Sequence, residues 1–360
     1  MRLHVEKRLD TPRWQAIAMP FVSVILALFL GAVLLSFTRH DPTKVYSVMF
    51  MGVFGSTYAL SSTVVKAIPF MLAGLGVGIA MQMKLWNIGA EGQLLMGAFA
   101  ATWVALFVPG LPWFLMIPAM ILLSMLAGGL WAAIAAIPKA LWNTNEIITT
   151  LMLNYVAVLW VRYLVQGPWR DPVLVAFPFS AKFPEAARIP TFGDTRIHFG
   201  LLFALVAAGV LYAMLNRTKW GYQIRVIGSS SSAARYAGMS IFRNTLLVMF
   251  LGGALAGLAG MAELSGVFHR LQDNLAAGAG YTAIIIASLA RGNPIGILMV
   301  SFLFGALLLG GTSVQTIGVS ASIAAMLQGT ILFFVLAGDF FLQYRVRMIF
   351  HTKKGLSNGL

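Results

Sequence analysis

The sequence predicts an all-α polytopic membrane protein with about ten transmembrane helices and both termini in the cytoplasm. Three observations carry this. The 360-residue chain is 59% hydrophobic and only 10% charged, with a mean hydropathy of +0.85, a balance no ordinary soluble domain holds. Its apolar runs are continuous over roughly 20 residues, enough to cross a bilayer, and only helices satisfy such backbones internally. The formal net charge of +14 is gathered at span ends and in a few loops. It therefore orients the chain in a membrane and is not a nucleic-acid signal.

The elements follow in order. Residues 1–16 form a cytoplasmic segment where Arg2, Lys7, Arg8 and Arg13 outnumber Glu6 and Asp10. The first span, Ile17–Phe37, has a basic flank and no small-x-small cleavage site before Arg39, so it is a retained helix. Val45–Val65 carries Ser and Thr throughout and is either an outer interfacial helix or a poor span. The second span, Ala67–Met83, contains Gly74-x-x-x-Gly78, a close-packing spacing. Lys84–Gly92 interrupts the pattern before a third span that runs to Val108. Pro109-Gly-Leu-Pro112 is an outer turn. Trp113–Ile137 and Ile147–Val165 are the fourth and fifth spans, joined by an inner loop.

Residues 166–197 form an outer loop rich in proline, in which positive and negative charges nearly balance. His198–Leu215 is the sixth span. Residues 217–243 then carry Arg217, Lys219, Arg225, Arg235 and Arg243 with no acid, which places them inside. Thr245–Val267 is the seventh span, with Gly253-x-x-x-Gly257. An outer turn holding His269, Arg270 and Asp273 follows. Ala277–Ala290, Ile295–Leu309 and Ser320–Leu342 complete the set, and the basic tail, 344–360, is cytoplasmic. With an inner N-terminus, the basic loop and the tail both fall inside. The whole chain, 1–360, reads as one transmembrane domain.

Several chemistries are excluded. The chain has no Cys, hence no disulfide, thiolate catalysis or Cys-based metal site. It has no Gly-x-x-x-x-Gly-Lys-Ser/Thr, no His-Glu-x-x-His and no Gly-x-Ser-x-Gly. No catalytic or metal-ligating residue is assigned. His269 and Asp273 are four apart, but a solvated turn explains them better than a catalytic pair.

Polar residues within or beside spans are the candidates for a pathway, because each is costly if it faces lipid. Asn87, Glu91 and Gln93 sit with Gly89 and Gly92 where the chain enters its third span. That composition suits a broken helix lining a wet cavity, and it equally suits a helix-start cap in which the dipole favours Glu91. Glu146 is open to the same two readings; Asn154 lies deeper, and Glu263 sits late in the seventh span. Cations are scarce in the spans, Arg162 being the main exception, so a neutral polar solute fits better than a phosphate or carboxylate. In the basic loop, Ser229–Ser232 offer N-caps, Ala233, Ala234, Arg235, Tyr236 and Ala237 favour helix, and Gly238 suits its stop. From spacing alone this short helix is either a solvated topology signal or a docking element.

Four blocks carry a resemblance: Leu85–Ala100 (Leu-Trp-Asn-Ile-Gly-Ala-Glu-Gly-Gln onward), Asn145–Tyr155 (Asn-Glu-Ile-Ile-Thr-Thr-Leu-Met-Leu-Asn-Tyr), Ala233–Gly238 and Leu289–Gly296. Together they resemble the permeases of bacterial ABC importers of the nucleoside type, a branch of the ribose and simple-sugar permease family. Ribose-type members typically show Asp-Leu-Ser-Val-Gly near Asn87–Gly92, and this chain departs from that.

The resemblance implies a subunit of the bacterial cytoplasmic (inner) membrane that forms a translocation pathway for nucleosides or related purine compounds and catalyses no covalent step. It implies partners: a second permease subunit that is a copy or a different chain, cytosolic ATPase subunits that bind ATP and Mg, and an extracytoplasmic substrate-binding protein. No cofactor is expected in this chain and no nucleic acid as partner. Ser229–Met239 would then be the coupling helix seated on the ATPase. Two alternatives remain, a simple-sugar permease of the same family and an ion-coupled secondary transporter with Glu91, Glu146 or Glu263 as proton sites.

Overall fold

A computed structural model describes residues 2–7, 13–108, 110–173 and 177–349. Parts of the expected terminal segments (1, 8–12 and 350–360), Pro109 of the outer turn and residues 174–176 of the outer loop lie outside the described residues.

The helices are α1 (Arg13–Phe37), α2 (Pro42–Phe54), α3 (Thr57–Gln82), α4 (Ala90–Phe107), α5 (Trp113–Trp142), α6 (Glu146–Gln166), α7 (Gly200–Arg217), α8 (Lys219–Ser229), α9 (Ser231–Tyr236), α10 (Ile241–Glu263), α11 (Ala279–Leu289), α12 (Pro294–Ser313) and α13 (Ala321–Gln343). A π turn, Leu264–Phe268, continues α10. Among the described residues, eight helices are long and apolar enough to cross a membrane, and α11 and Val22–Phe37 of α1 are shorter apolar helices. These fall on the ten predicted spans.

The semi-polar stretch 45–65 corrects the expectation. It is not one element. Residues up to Phe54 belong to α2, whereas α3 begins at Thr57 and runs through Lys66 without a break. Ser56 sets that start, since its side chain accepts the Ala59 N–H at 3.0 Å. The second span therefore starts ten residues before Ala67, and its Ser and Thr hydroxyls bond back to carbonyls of the preceding turn, as Thr63 does to Ala59 at 3.0 Å.

Two compact units are present: residues 1–50 with 310–360, and residues 51–309. In the first, α1 packs on α13, and Leu35, Val45, Val314, Val319, Ala324 and Leu327 form a core. Tyr46 reaches across to donate to the Leu28 carbonyl at 2.6 Å. The same unit holds strands β1 (Arg2–Lys7) and β2 (Tyr344–Ile349), antiparallel, with Arg2 opposite Ile349 and Lys7 opposite Tyr344. Helical periodicity gave no sign of this pair, which puts both described ends of the chain on one side.

In the second unit α10 is the hub, packed on α3, α4 and α5. The apolar windows of α3 and α10 are 83% and 78% buried, against 28% for α6 and α7, so the former are the interior and the latter face outward. Small residues make this possible. A Cβ on Gly253 would overlap the Gly128 carbonyl, and one on Gly257 would overlap the Ser124 carbonyl, so the predicted Gly-x-x-x-Gly is the α10–α5 seam. Gly76 and Gly252 bring α3 and α10 equally close, a pairing their spacing did not announce.

Candidate functional site

The break between α3 and α4 builds the site. Lys84 takes φ +56 and ends α3, and α4 does not begin until Ala90. The exposed backbone of that break is satisfied by buried amides. Asn87 Nδ2 donates to Gln93 Oε1 and Gln93 Nε2 donates back to Asn87 Oδ1, both at 2.9 Å. Asn87 Oδ1 also accepts the Gly89 N–H at 3.1 Å. Asn154, midway along α6, accepts the Gly92 N–H at 2.9 Å, one of the orphan donors at the start of α4. Its amide nitrogen donates to the Ile88 carbonyl at 2.9 Å and meets the Tyr281 hydroxyl at 3.2 Å. One side chain thus ties α6, the break and α11 together.

Glu91 points from the first turn of α4 to the N-terminus of α11. Its Oε1 accepts the Gly278 N–H at 2.8 Å and its Oε2 the Gly280 N–H at 2.7 Å. The carboxylate therefore sits at the positive ends of two helices at once. The chain approaches through Ala277 at φ +44 and Gly278 at φ +84, and the Gly280 backbone lies so close to Glu91 that a Cβ there would overlap it.

Glu146 lies beside this cluster. Its Oε2 is 3.0 Å from Lys139 Nζ, and its Oε1 accepts the Trp86 N–H at 3.4 Å, which pins the start of the break to the α5–α6 loop. The neighbouring asparagines are caps: Asn143 ends α5 at φ +52, and Asn145 accepts the Ile147 N–H at 3.0 Å to start α6. Glu263 stands apart from the cluster. It is buried at the α10–π turn junction, with Oε1 3.8 Å from Lys66 Nζ and Oε2 without a hydrogen-bond partner among the described residues.

A cavity of about 120 Å³ opens beside Glu91, walled by Leu95, Val161, Arg162, Asp273 and Asn274. Arg162 Nε donates to Asp273 Oδ2 at 3.0 Å. Asp273 thus bonds Arg162, while His269 Nδ1 lies 3.0 Å from the Ser265 carbonyl oxygen, so the two are no catalytic couple. The sequence left a usable signal for the ion pair: Arg162 was the one conspicuous cation in a span, and a cation there demands an acid. Tyr281 and Lys66 carried no such signal.

The long outer loop is held in place by the π turn and by His269 and Leu271 just beyond it. Ser180 N–H donates to the Leu271 carbonyl at 2.9 Å, Phe183 N–H to the His269 carbonyl at 2.8 Å, and Ser265 Oγ to the Ala187 carbonyl. His198 is buried there between Gly200 and Gly266. Burial, and then the neighbouring His269, push its imidazole down to about 4.

The basic loop forms α8 and α9. Ser230 caps α9 by accepting the Ala233 N–H at 3.2 Å. Gly238 at φ +73 closes it, with Met239 N–H bonding back to the Ala234 carbonyl at 3.0 Å. Ala233, Arg235, Tyr236 and Ala237 are exposed, Tyr236 at 95%. Ala234 is not; it is fully buried, so the small residues this helix leaves open to a partner are Ala233 and Ala237. α9 packs on α8, and the Gly228 backbone of α8 rests on the Gln82 carbonyl where α3 ends.

Residues 59–336 match the family described as the branched-chain amino acid transport system / permease component. The chain is 39% identical to the glucose ABC transporter permease protein TsgB13 of Haloferax volcanii, over 98% of this chain and 96% of that one. It is 31% identical to the guanosine ABC transporter permease protein NupP of Bacillus subtilis, over 90% and 94%. It is 28% identical to the nucleoside ABC transporter permease protein NupB of Lactococcus lactis, over 89% and 90%.

Proposed function

The chain belongs to the branched-chain amino acid transport system / permease component family and is a multi-pass ABC transporter permease subunit of the cytoplasmic membrane, and we propose that it forms the pathway of an ATP-driven importer for nucleosides or related purine compounds. Two permease subunits enclose the pathway. Separate cytosolic ATPase subunits bind ATP and Mg and dock on α9. An extracytoplasmic binding protein delivers the solute to the outer mouth.

One observation carries the solute class: relatives named for guanosine and nucleosides align along about nine-tenths of this chain and of their own length. The site agrees with a neutral polar solute. Its amides are uncharged, the Arg162 charge is cancelled by Asp273, and Glu91 is held by backbone N–H groups. Asn87, Glu91, Asn154 and Glu146 form or brace that pathway, and Glu263 supports its outer end through Lys66. A second reading, a hexose, is favoured by the 39% identical glucose permease.

The test is uptake of radiolabelled guanosine, adenosine and glucose by cells carrying the complete transporter and lacking other routes. ATP-dependent nucleoside uptake is the expected result. Glucose uptake alone would replace it with the second reading. Solute movement by this chain alone in proteoliposomes under an ion gradient would overturn both.

A further inference from the structure

We infer that the cavity beside Glu91 is a subsite for a vicinal diol, with Asp273 and Arg162 as its specificity-determining residues. The inference rests on the proposed function and deepens it. Three observations carry it. First, the cavity measures about 120 Å³ and opens to the surface; that is somewhat less than the ~150 Å³ that holds one benzene ring, so it takes the hydroxyl-bearing edge of a sugar ring and not a purine with its sugar. Second, its polar wall is an ion pair with spare capacity. Among the described residues Nε is the one guanidinium nitrogen of Arg162 that is engaged, with Asp273 Oδ2 at 3.0 Å. Asp273 Oδ1 accepts the Asn274 N–H, so each carboxylate oxygen keeps a lone pair. The two side chains are 48% and 26% exposed. Beside such a pair a vicinal diol is bound from both sides: the carboxylate accepts hydroxyl protons, and the free guanidinium N–H groups donate to hydroxyl oxygens. The remaining wall, Leu95, Val161 and Ala276, is apolar, as a sugar ring face requires.

Third, the segment that presents Asp273 is bent sharply at non-glycine residues. His269, Asn274 and Ala277 have φ of +54, +63 and +44. Left-handed backbone at Ala is disfavoured, and such positions cluster where a ligand is held. The Asn274 N–H fixes Asp273 Oδ1 at 3.0 Å, and Glu91 holds the far end of the segment at Gly278. The carboxylate is thus positioned before any ligand arrives.

A diol subsite also reconciles relatives named for guanosine and for glucose, since a ribonucleoside and a hexose share adjacent hydroxyls and little else. The diol edge of the sugar enters this cavity while the base or the rest of the solute stays outside it.

The experiment compares uptake of adenosine with 2′-deoxyadenosine, which lacks the vicinal diol, by cells carrying the complete transporter. The binding protein is unchanged throughout, so any shift in the ratio belongs to the permease. Asp273→Ala should lower adenosine uptake roughly tenfold and leave 2′-deoxyadenosine within about twofold, because a hydrogen bond to a charged group is lost for one solute only. Arg162→Gln should act in the same direction. Asp273→Asn, which keeps the shape, carries the same comparison should the alanine variant fail to accumulate in membranes. Equal loss for both solutes, or no loss for either, would overturn the inference and leave the proposed function standing. Wild-type cells that import neither adenosine nor glucose would sink the proposed function and the inference with it.

Discussion

Replacing Glu91 with Gln tests whether one side chain couples the helix break to α11. The carboxylate accepts two backbone N–H groups, from Gly278 at 2.8 Å and Gly280 at 2.7 Å, in a buried setting. Gln keeps one acceptor oxygen and turns an NH₂ toward the other donor. One charge-assisted bond, about 1.5–3 kcal/mol, is lost, and a backbone donor is left unsatisfied. The favourable charge at two helix N-termini goes too, each worth about 0.3–1 kcal/mol. A loss of roughly 2–5 kcal/mol shifts the detachment of the α11 N-terminus by about 1.5–3.5 orders of magnitude. The native chain has no Cys, so Ala283→Cys places a single thiol at a fully buried position on α11. Maleimide labelling of that thiol in detergent should accelerate at least tenfold in the Glu91→Gln background, and transport by the complete complex should fall severely. Glu91→Asp should lie between the two. A labelling rate within twofold of the parent, with full transport, would refute the claim that Glu91 holds α11.

Other outcomes follow from the same geometry. Gly257→Ala drives a methyl into the Ser124 carbonyl, and backbone cannot yield as a side chain does; fluorescence size-exclusion should show loss of the monodisperse permease, with a cost of about 1–3 kcal/mol or more. Tyr236→Ala should reduce co-purification with the ATPase while leaving the isolated permease's melting temperature unchanged, because Tyr236 is 95% exposed. Ala234→Trp should lower that melting temperature, because Ala234 faces the protein interior; Ala237→Trp is the variant that blocks docking by bulk. Ser230→Cys should react with an impermeant maleimide only after cells are permeabilised. His198 is neutral when folded down to about pH 4, whereas the unfolded imidazole protonates near 6.5. Stability is therefore full above about pH 6.5 and declines from there toward pH 4, by on the order of 3 kcal/mol. His198→Gln should flatten that decline in a thermal-melt series.

Much of this was legible because lipid makes polarity expensive. Asn87, Glu91 and Asn154 stood out as residues that could not face hydrocarbon, and they meet at one break. Glu263 stood out for the same reason but pairs with Lys66 elsewhere, since cost identifies a buried polar group without naming its partner. Gly238 and the serines before α9 were readable as caps because capping is local. The burial of Ala234 was not, because a six-residue helix of small residues has no periodic face to read. The start of α3 was misplaced for a related reason: Ser and Thr lower hydropathy, yet their hydroxyls fold back onto their own helix. Gly76 against Gly252 depends on which helices meet, and no window of one helix contains that.

The pairing of β1 with β2 bears on how the chain is made. The ribosome releases Arg2–Lys7 long before Tyr344–Ile349, because helices α1 to α13 lie between them in the chain. Until α13 has entered the membrane, the first strand has no partner and presents an open edge, a feature that invites pairing with other chains. Closure of that pair therefore waits until α13 has been made. A chain truncated before Tyr344 would insert its helices and still carry an open strand that quality-control proteases can grasp.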